Sequence, residues 1–184
     1  MRAGLAAICL GALSIAGCAT QPTLQASERV ARPTVRPAPP GPVSRQALSP
    51  AVYFARAASL HLFVTKASDK IAASDSNLGK AARLIAEDHR GIAAQLSLTG
   101  RRLNLLPSTT LLPEHETLLA ELESSQDASM IYLVQMHRLL PSAYDMHRNF
   151  AARGASPTLR PVAAMAMPIV ERHYQTVKGL ARPF

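Results

Sequence analysis

Six histidines and two cysteines carry most of the chemical potential of this 184-residue chain. A neutral imidazole ligates zinc, copper, nickel or iron, and it also moves protons near neutral pH. His89 and His173 sit on the apolar stripes of two separate helical segments, so both are expected to point inward. An inward histidine is either a metal ligand or, more commonly, a core residue bonded to a neighbour. The second role is the expectation for this pair. His137, Leu140, Tyr144 and His147 fall within one wedge of about 90° when residues are spaced at 100°. His61 flanks an apolar stripe and His115 lies near a helix start, so both read as surface or capping residues.

Other chemistries lack their signatures. The chain has no Gly-rich phosphate loop, no Gly-x-Ser-x-Gly elbow and no His-Glu-x-x-His zinc helix. Glu116, Glu121, Glu123 and Asp127 form an acidic run on a short helix, which reads as a solvated face.

Helices must position these residues. Ala and Leu dominate, aromatic residues make up 4% and Trp is absent, which favours helix over strand. From Pro50 the apolar period is helical. Tyr53, Ala57, Leu60, Val64, Ala67 and Ile71 alternate spacings of four and three along one stripe. A second helix is expected from about Leu78 to Leu98, with Ala82, Ile85, His89, Ile92 and Leu96 inward. Asp75 or Ser76 is placed to cap it and Gly100 to end it. Pro113 opens a short helix with Leu118, Leu119 and Leu122. A long helix follows from about Asp127 to Arg153, stopped by Gly154. Pro161 opens the last, with Ala166, Ile169, His173, Val177 and Leu180 inward. Pro141 and Pro168 fall inside the last two helices and are expected to kink them. Four long amphipathic helices with short connections predict a bundle.

The first 49 residues are different material. Met1-Arg2 gives a positive start and Ala3 to Ala16 is almost wholly apolar or small, too short for a comfortable span. The junction Leu13-Ser14-Ile15-Ala16-Gly17-Cys18 resembles a bacterial lipoprotein signal. The resemblance implies removal of residues 1–17 and lipidation (palmitate included) of Cys18. Ala19, which is not Asp, then permits outer-membrane sorting. Cys9 leaves with the signal, so the mature domain has no thiol for disulfides, thiolate–metal sites or nucleophilic catalysis. Residues 18–49 carry six prolines and the basic residues Arg29, Arg32, Arg36 and Arg45, and read as a disordered tether. The domain proper is 50–184. The formal charge of +8 does not indicate nucleic acid, because basic residues without interleaved aromatics are weak evidence for it.

The domain also resembles the bacterial envelope family called domain of unknown function 4142, described as outer-membrane proteins with a ferritin-like bundle. The carriers are Ala86-Glu87-Asp88-His89, Leu112-Pro113-Glu114-His115, Tyr132, Phe150-Ala151 with Gly154, and Met167-Pro168-Ile169-Val170-Glu171-Arg172-His173. The resemblance implies export and an all-α, ferritin-like four-helix bundle with an extra short helix. It carries no established reaction. The family's polar centre is partly replaced here: Val64 stands where a glutamate is expected, Leu140 where a histidine is, and Ala128-Ser129 where a Phe-Asp pair is. Asp88, His89 and His173 are retained. His147 lies seven residues beyond Leu140, about 10 Å along the axis, and is not expected to rescue that position. No Glu-x-x-His occurs, so a diiron oxidase centre is not expected.

The expected protein is therefore a lipid-anchored outer-membrane lipoprotein facing the periplasm. Its bundle is expected to be a non-enzymatic binding or structural module without a cofactor. Its partners would be the membrane, through the lipid, and an envelope protein or cell-wall polymer. The alternative is a zinc- or iron-binding bundle using inward residues from among His89, His173, Asp88, His137 and His147.

Overall fold

The computed structural model describes residues 49–74 and 76–181. The signal segment, Cys18, the tether and Asp75 lie outside the described residues. Within them are five helices and no strand: α1 (Pro50–Ala72), α2 (Asn77–Arg101), α3 (Pro113–Ser124), α4 (Ala128–Arg153) and α5 (Arg160–Leu180). No helix among them is long and apolar enough to cross a membrane.

Local chemistry sets the helix starts. The first N–H groups of a helix have no partner inside it, so a side-chain oxygen just upstream stabilises the start. Ser49 accepts the Val52 N–H at 3.2 Å, Ser76 the Gly79 N–H at 3.0 Å and Asp127 the Met130 N–H at 3.0 Å. Prolines stand in the first turns of α1, α3 and α5, where no backbone donor is needed. α4 and α5 each continue unbroken through an internal proline, Pro141 and Pro168.

The end of α2 differs from the expectation. Gly100 lies inside the helix, which closes through a Schellman turn. Asn104 takes the left-handed conformation (φ 56°), the Leu105 N–H bonds the Gly100 carbonyl at 2.9 Å and the Asn104 N–H bonds that of Arg101 at 3.3 Å. Gly100 is needed for another reason: a Cβ there would run into the Phe54 ring and the Leu105 carbonyl.

The helices run in the order of a ferritin-like bundle. Tyr53 near the start of α1 stacks on Phe150 near the end of α4, and Ser68 late in α1 bonds Tyr132 early in α4. α1 and α4 are therefore antiparallel. α1 also packs on α2, α4 on α5 and α2 on α5. Because α2 and α4 both oppose α1, the chain must return along the bundle between them. Residues 102–127, with α3, make that return across α1 and α4. Ser59 of α1 fastens the segment: its Oγ accepts the Leu112 N–H at 2.8 Å and is bonded to His115 Nδ1 at 2.7 Å.

Two apolar clusters fill the bundle. One holds Phe63, Val64, Ile85, Leu122, Tyr132, Met136, Leu140 and Val170. The other holds Tyr53, Phe54, Ile92, Leu96, Phe150, Leu159 and Ala166. Val64 and Leu140 are fully buried in the first cluster, among apolar neighbours.

Candidate functional site

Between the two apolar clusters the bundle carries a layer of imidazoles. Each long helix supplies one: His61 from α1, His89 from α2, His147 from α4 and His173 from α5. In α1, α2 and α4 the histidine sits where the helix passes from one cluster to the other. The first three are 0% exposed and His173 is 3% exposed.

The rings form a connected row. The His61 and His89 Nδ1 atoms are 2.9 Å apart, so one donates and the other accepts. The His61 ring stacks on His147 and the His89 ring on His173, each with centroids 5.2 Å apart, and the His61 and His89 centroids are 4.8 Å apart. Both ends of the row are held. The Tyr53 hydroxyl bonds His147 Nδ1 at 3.0 Å. At the other end His173 Nε2–H donates to Asp88 Oδ2 at 2.9 Å, and Arg172 donates to the same oxygen at 2.8 Å. Four ring nitrogens are left buried without a protein partner: Nε2 of His61, His89 and His147, and Nδ1 of His173.

The electrostatics keep this layer neutral. Burial, reinforced by the neighbouring imidazoles, holds His61 and His89 well below the ordinary histidine range. Burial brings His147 down to about 4. His173 is also lowered by burial, with the Asp88 carboxylate opposing. For Asp88 partial burial pushes the carboxyl up, but the bonds from Arg172 and His173 outweigh it and hold it below the usual range. Burial raises the Tyr53 phenol, which stays protonated.

The arrangement corrects several expectations. His89, His173 and His147 come together, and Asp88 touches the group at its edge. His147 belongs with His89 because it meets His61 across the α1–α4 interface, not because it replaces Leu140. His137 is excluded: it is exposed and lies beside the Tyr174 ring, 5.5 Å between centroids. His61, expected at the surface, is at the centre of the row. α1 touches α2, α3 and α4 and so buries a wider arc than a single stripe. The signal was present in the run Leu60-His61-Leu62-Phe63-Val64, where His61 has apolar residues on both sides. His115, also read as surface or capping, is buried at 7% exposure against Ser59 and the Phe63 ring.

Among the described residues, no three His, Cys, Asp or Glu side chains are already arranged to hold one metal ion. The rings are stacked rather than aimed at a common point. What exists is a buried row of four neutral imidazoles, each with one ring nitrogen that has no protein partner.

No curated protein and no solved structure matches the chain. Residues 55–180 match the family described as Domain of unknown function (DUF4142), and the chain, with its helical bundle over the same span, belongs to that family.

Proposed function

We propose that this protein is a lipid-anchored envelope protein whose bundle is a metal-binding module rather than an enzyme. The ligands are the imidazoles of His61, His89, His147 and His173. The envelope address is supported by the Ile15-Ala16-Gly17-Cys18 junction after an apolar segment. The observation that carries the metal is the set of four buried ring nitrogens without a protein partner. Leaving a buried polar atom unbonded costs about 1–3 kcal/mol, and four in one layer call for a ligand.

The ring spacing supports the same ligand. Four imidazoles around one tetrahedral zinc, at about 2.0–2.1 Å per Zn–N bond, have ring centroids about 5 Å apart. The three adjacent pairs here are 4.8, 5.2 and 5.2 Å apart. All-nitrogen ligation suits zinc, copper, nickel or iron(II). A carboxylate-bridged diiron centre does not fit, because Asp88 is the one carboxylate bonded to the layer among the described residues and it stands at the edge.

The test is metal analysis and zinc titration of the full lipidated chain in detergent, carrying no polyhistidine tag. One equivalent bound with sub-micromolar affinity, lost in His61→Ala and His89→Ala variants that keep their helical circular dichroism, is the expected result. Binding that is absent, or undiminished in both variants, overturns it.

A further inference from the structure

The surface charges of the bundle are sorted by end. Tyr53, Phe54, Leu96, Phe150 and Leu159 share one apolar cluster, so α1 begins, α2 ends, α4 ends and α5 begins at the same end. Four exposed arginines stand there: Arg101 and Arg102 where α2 closes, Arg153 as the last residue of α4 and Arg160 as the first of α5. The three stretches that build this end, 29–68, 89–113 and 146–170, contain no Asp or Glu. Among the described residues none of the four arginines is paired with a carboxylate, and Arg153 donates to Asn149 Oδ1 at 3.0 Å. The opposite end carries both signs, with Asp69, Lys70, Lys80, Glu123 and Asp127. Helix stability does not account for Arg160, because a cation in a first turn opposes the helix dipole. Large apolar side chains are exposed at the arginine end as well. Val52 in the first turn of α1 is 46% exposed, Leu98 in the last turn of α2 55%, and Leu106 just past the Schellman turn 76%. Leu106 shares a groove with Ala51 and Phe54 of α1.

We propose that this arginine-rich end docks the bundle onto the surface of an anionic bilayer. The inference rests on the envelope address proposed above and is independent of the metal layer. Interfacial binding needs basic groups for the headgroups and apolar side chains for the headgroup–acyl boundary, and both stand at this end. A guanidinium meets a phosphate through two parallel N–H bonds, which suits arginine better than lysine to a headgroup. The apolar side chains favour a bilayer over a soluble polyanion: on a polyanion they would stay in water, whereas at the acyl boundary they leave it. No described helix is long and apolar enough to span the bilayer, so the contact is with its surface. The chain joins the bundle at this end, through Ser49 at the start of α1. Anchoring at Cys18 would raise the effective concentration of bilayer at the bundle, so a few weak contacts suffice to dock it.

The test is hydrogen exchange of the full mature chain, purified from the producing bacterium and added to vesicles. One set is phosphatidylethanolamine with phosphatidylglycerol, the other phosphatidylcholine alone. Amides of residues 102–108 should exchange more slowly on the anionic set. The protection should be lost on the neutral set, and in 1 M salt, where the Debye length is about 3 Å. An arginine near an anionic surface is worth about fivefold in binding, so Arg101→Gln with Arg102→Gln should weaken docking about twentyfold. Leu106→Ser should weaken it about tenfold, by removing an apolar side chain from the boundary. Lys70→Gln with Lys80→Gln makes the same charge change at the opposite end and should alter the protection by no more than about twofold. Three results overturn the docking face: no protection on anionic vesicles, equal protection on neutral ones, or equal loss in the two double variants. Soluble polyphosphate that protects the same amides as fully as vesicles, with no effect of Leu106→Ser, makes the partner a polyanion and overturns the bilayer. The anchor is read separately, by flotation with the neutral vesicles. A chain that does not float with them has no lipid anchor, while its exchange on excess anionic vesicles still decides the docking face.

Discussion

At the scale of the residue, the imidazole layer ties stability to pH. Each of the four histidines holds a proton more readily in the unfolded chain, with a pKa near 6.5, than in the bundle, where all four are lowered. The unfolded state therefore binds more protons, and stability falls as pH falls. For the metal-free protein it should be nearly level above pH 7. It should decline through 6.5 and go on declining until the folded-state groups take up their protons, for His147 at about 4. Each histidine contributes up to about 1.4 kcal/mol per pH unit across its window. Urea denaturation of the chelator-treated chain should show a loss of several kcal/mol between pH 7.5 and 5.5. His147→Phe, which removes one such group and keeps an aromatic ring, should reduce that loss by about 1.4 kcal/mol. Equal stability at the two pH values would contradict a neutral buried layer.

At the scale of the element, α1 does more than its stripe suggests. The residues Tyr53, Ala57, Leu60, Val64, Ala67 and Ile71 are all buried, as their period predicts. A second set is buried beside them, with Ser59, His61 and Ser68, because α1 packs against three other helices. Periodicity reports one face; the number of neighbours is a tertiary property. Ser59 shows what the extra arc does. It holds the Leu112 backbone N–H and His115 at the start of α3, a helix whose first residue has no side-chain cap. Ser59→Ala leaves both partners without this bond and should cost about 1–3 kcal/mol. Hydrogen exchange at the Leu112 amide should accelerate more than at amides in the middle of α2. Uniform acceleration would show that Ser59 supports the bundle generally and not this crossover.

At the scale of the whole molecule, the domain is expected to work at a membrane to which no described helix commits it. We propose that the anchor is Cys18. Cys18→Ala should abolish lipid labelling and release the chain from the membrane fraction of the producing bacterium. Unchanged fractionation would refute the anchor. The number, type and approximate limits of the helices were legible in the sequence, because amphipathic periods, Ser and Asp caps and first-turn prolines act locally. So was the inward direction of His89 and His173, since a stripe has a face whatever it packs against. The Schellman end of α2 was less legible, because Gly100 resembles a terminator and its actual role is set by the Phe54 ring from another helix. The four-imidazole layer was not legible at all as a unit. His61 and His147 are 86 residues apart in the chain, and they meet only because the crossover sets α4 antiparallel to α1 and brings both to the level of His89 and His173. One-dimensional spacing fixes which side of a helix a residue faces; which residues from four helices share a level is decided by how those helices slide and pair when the two apolar clusters close.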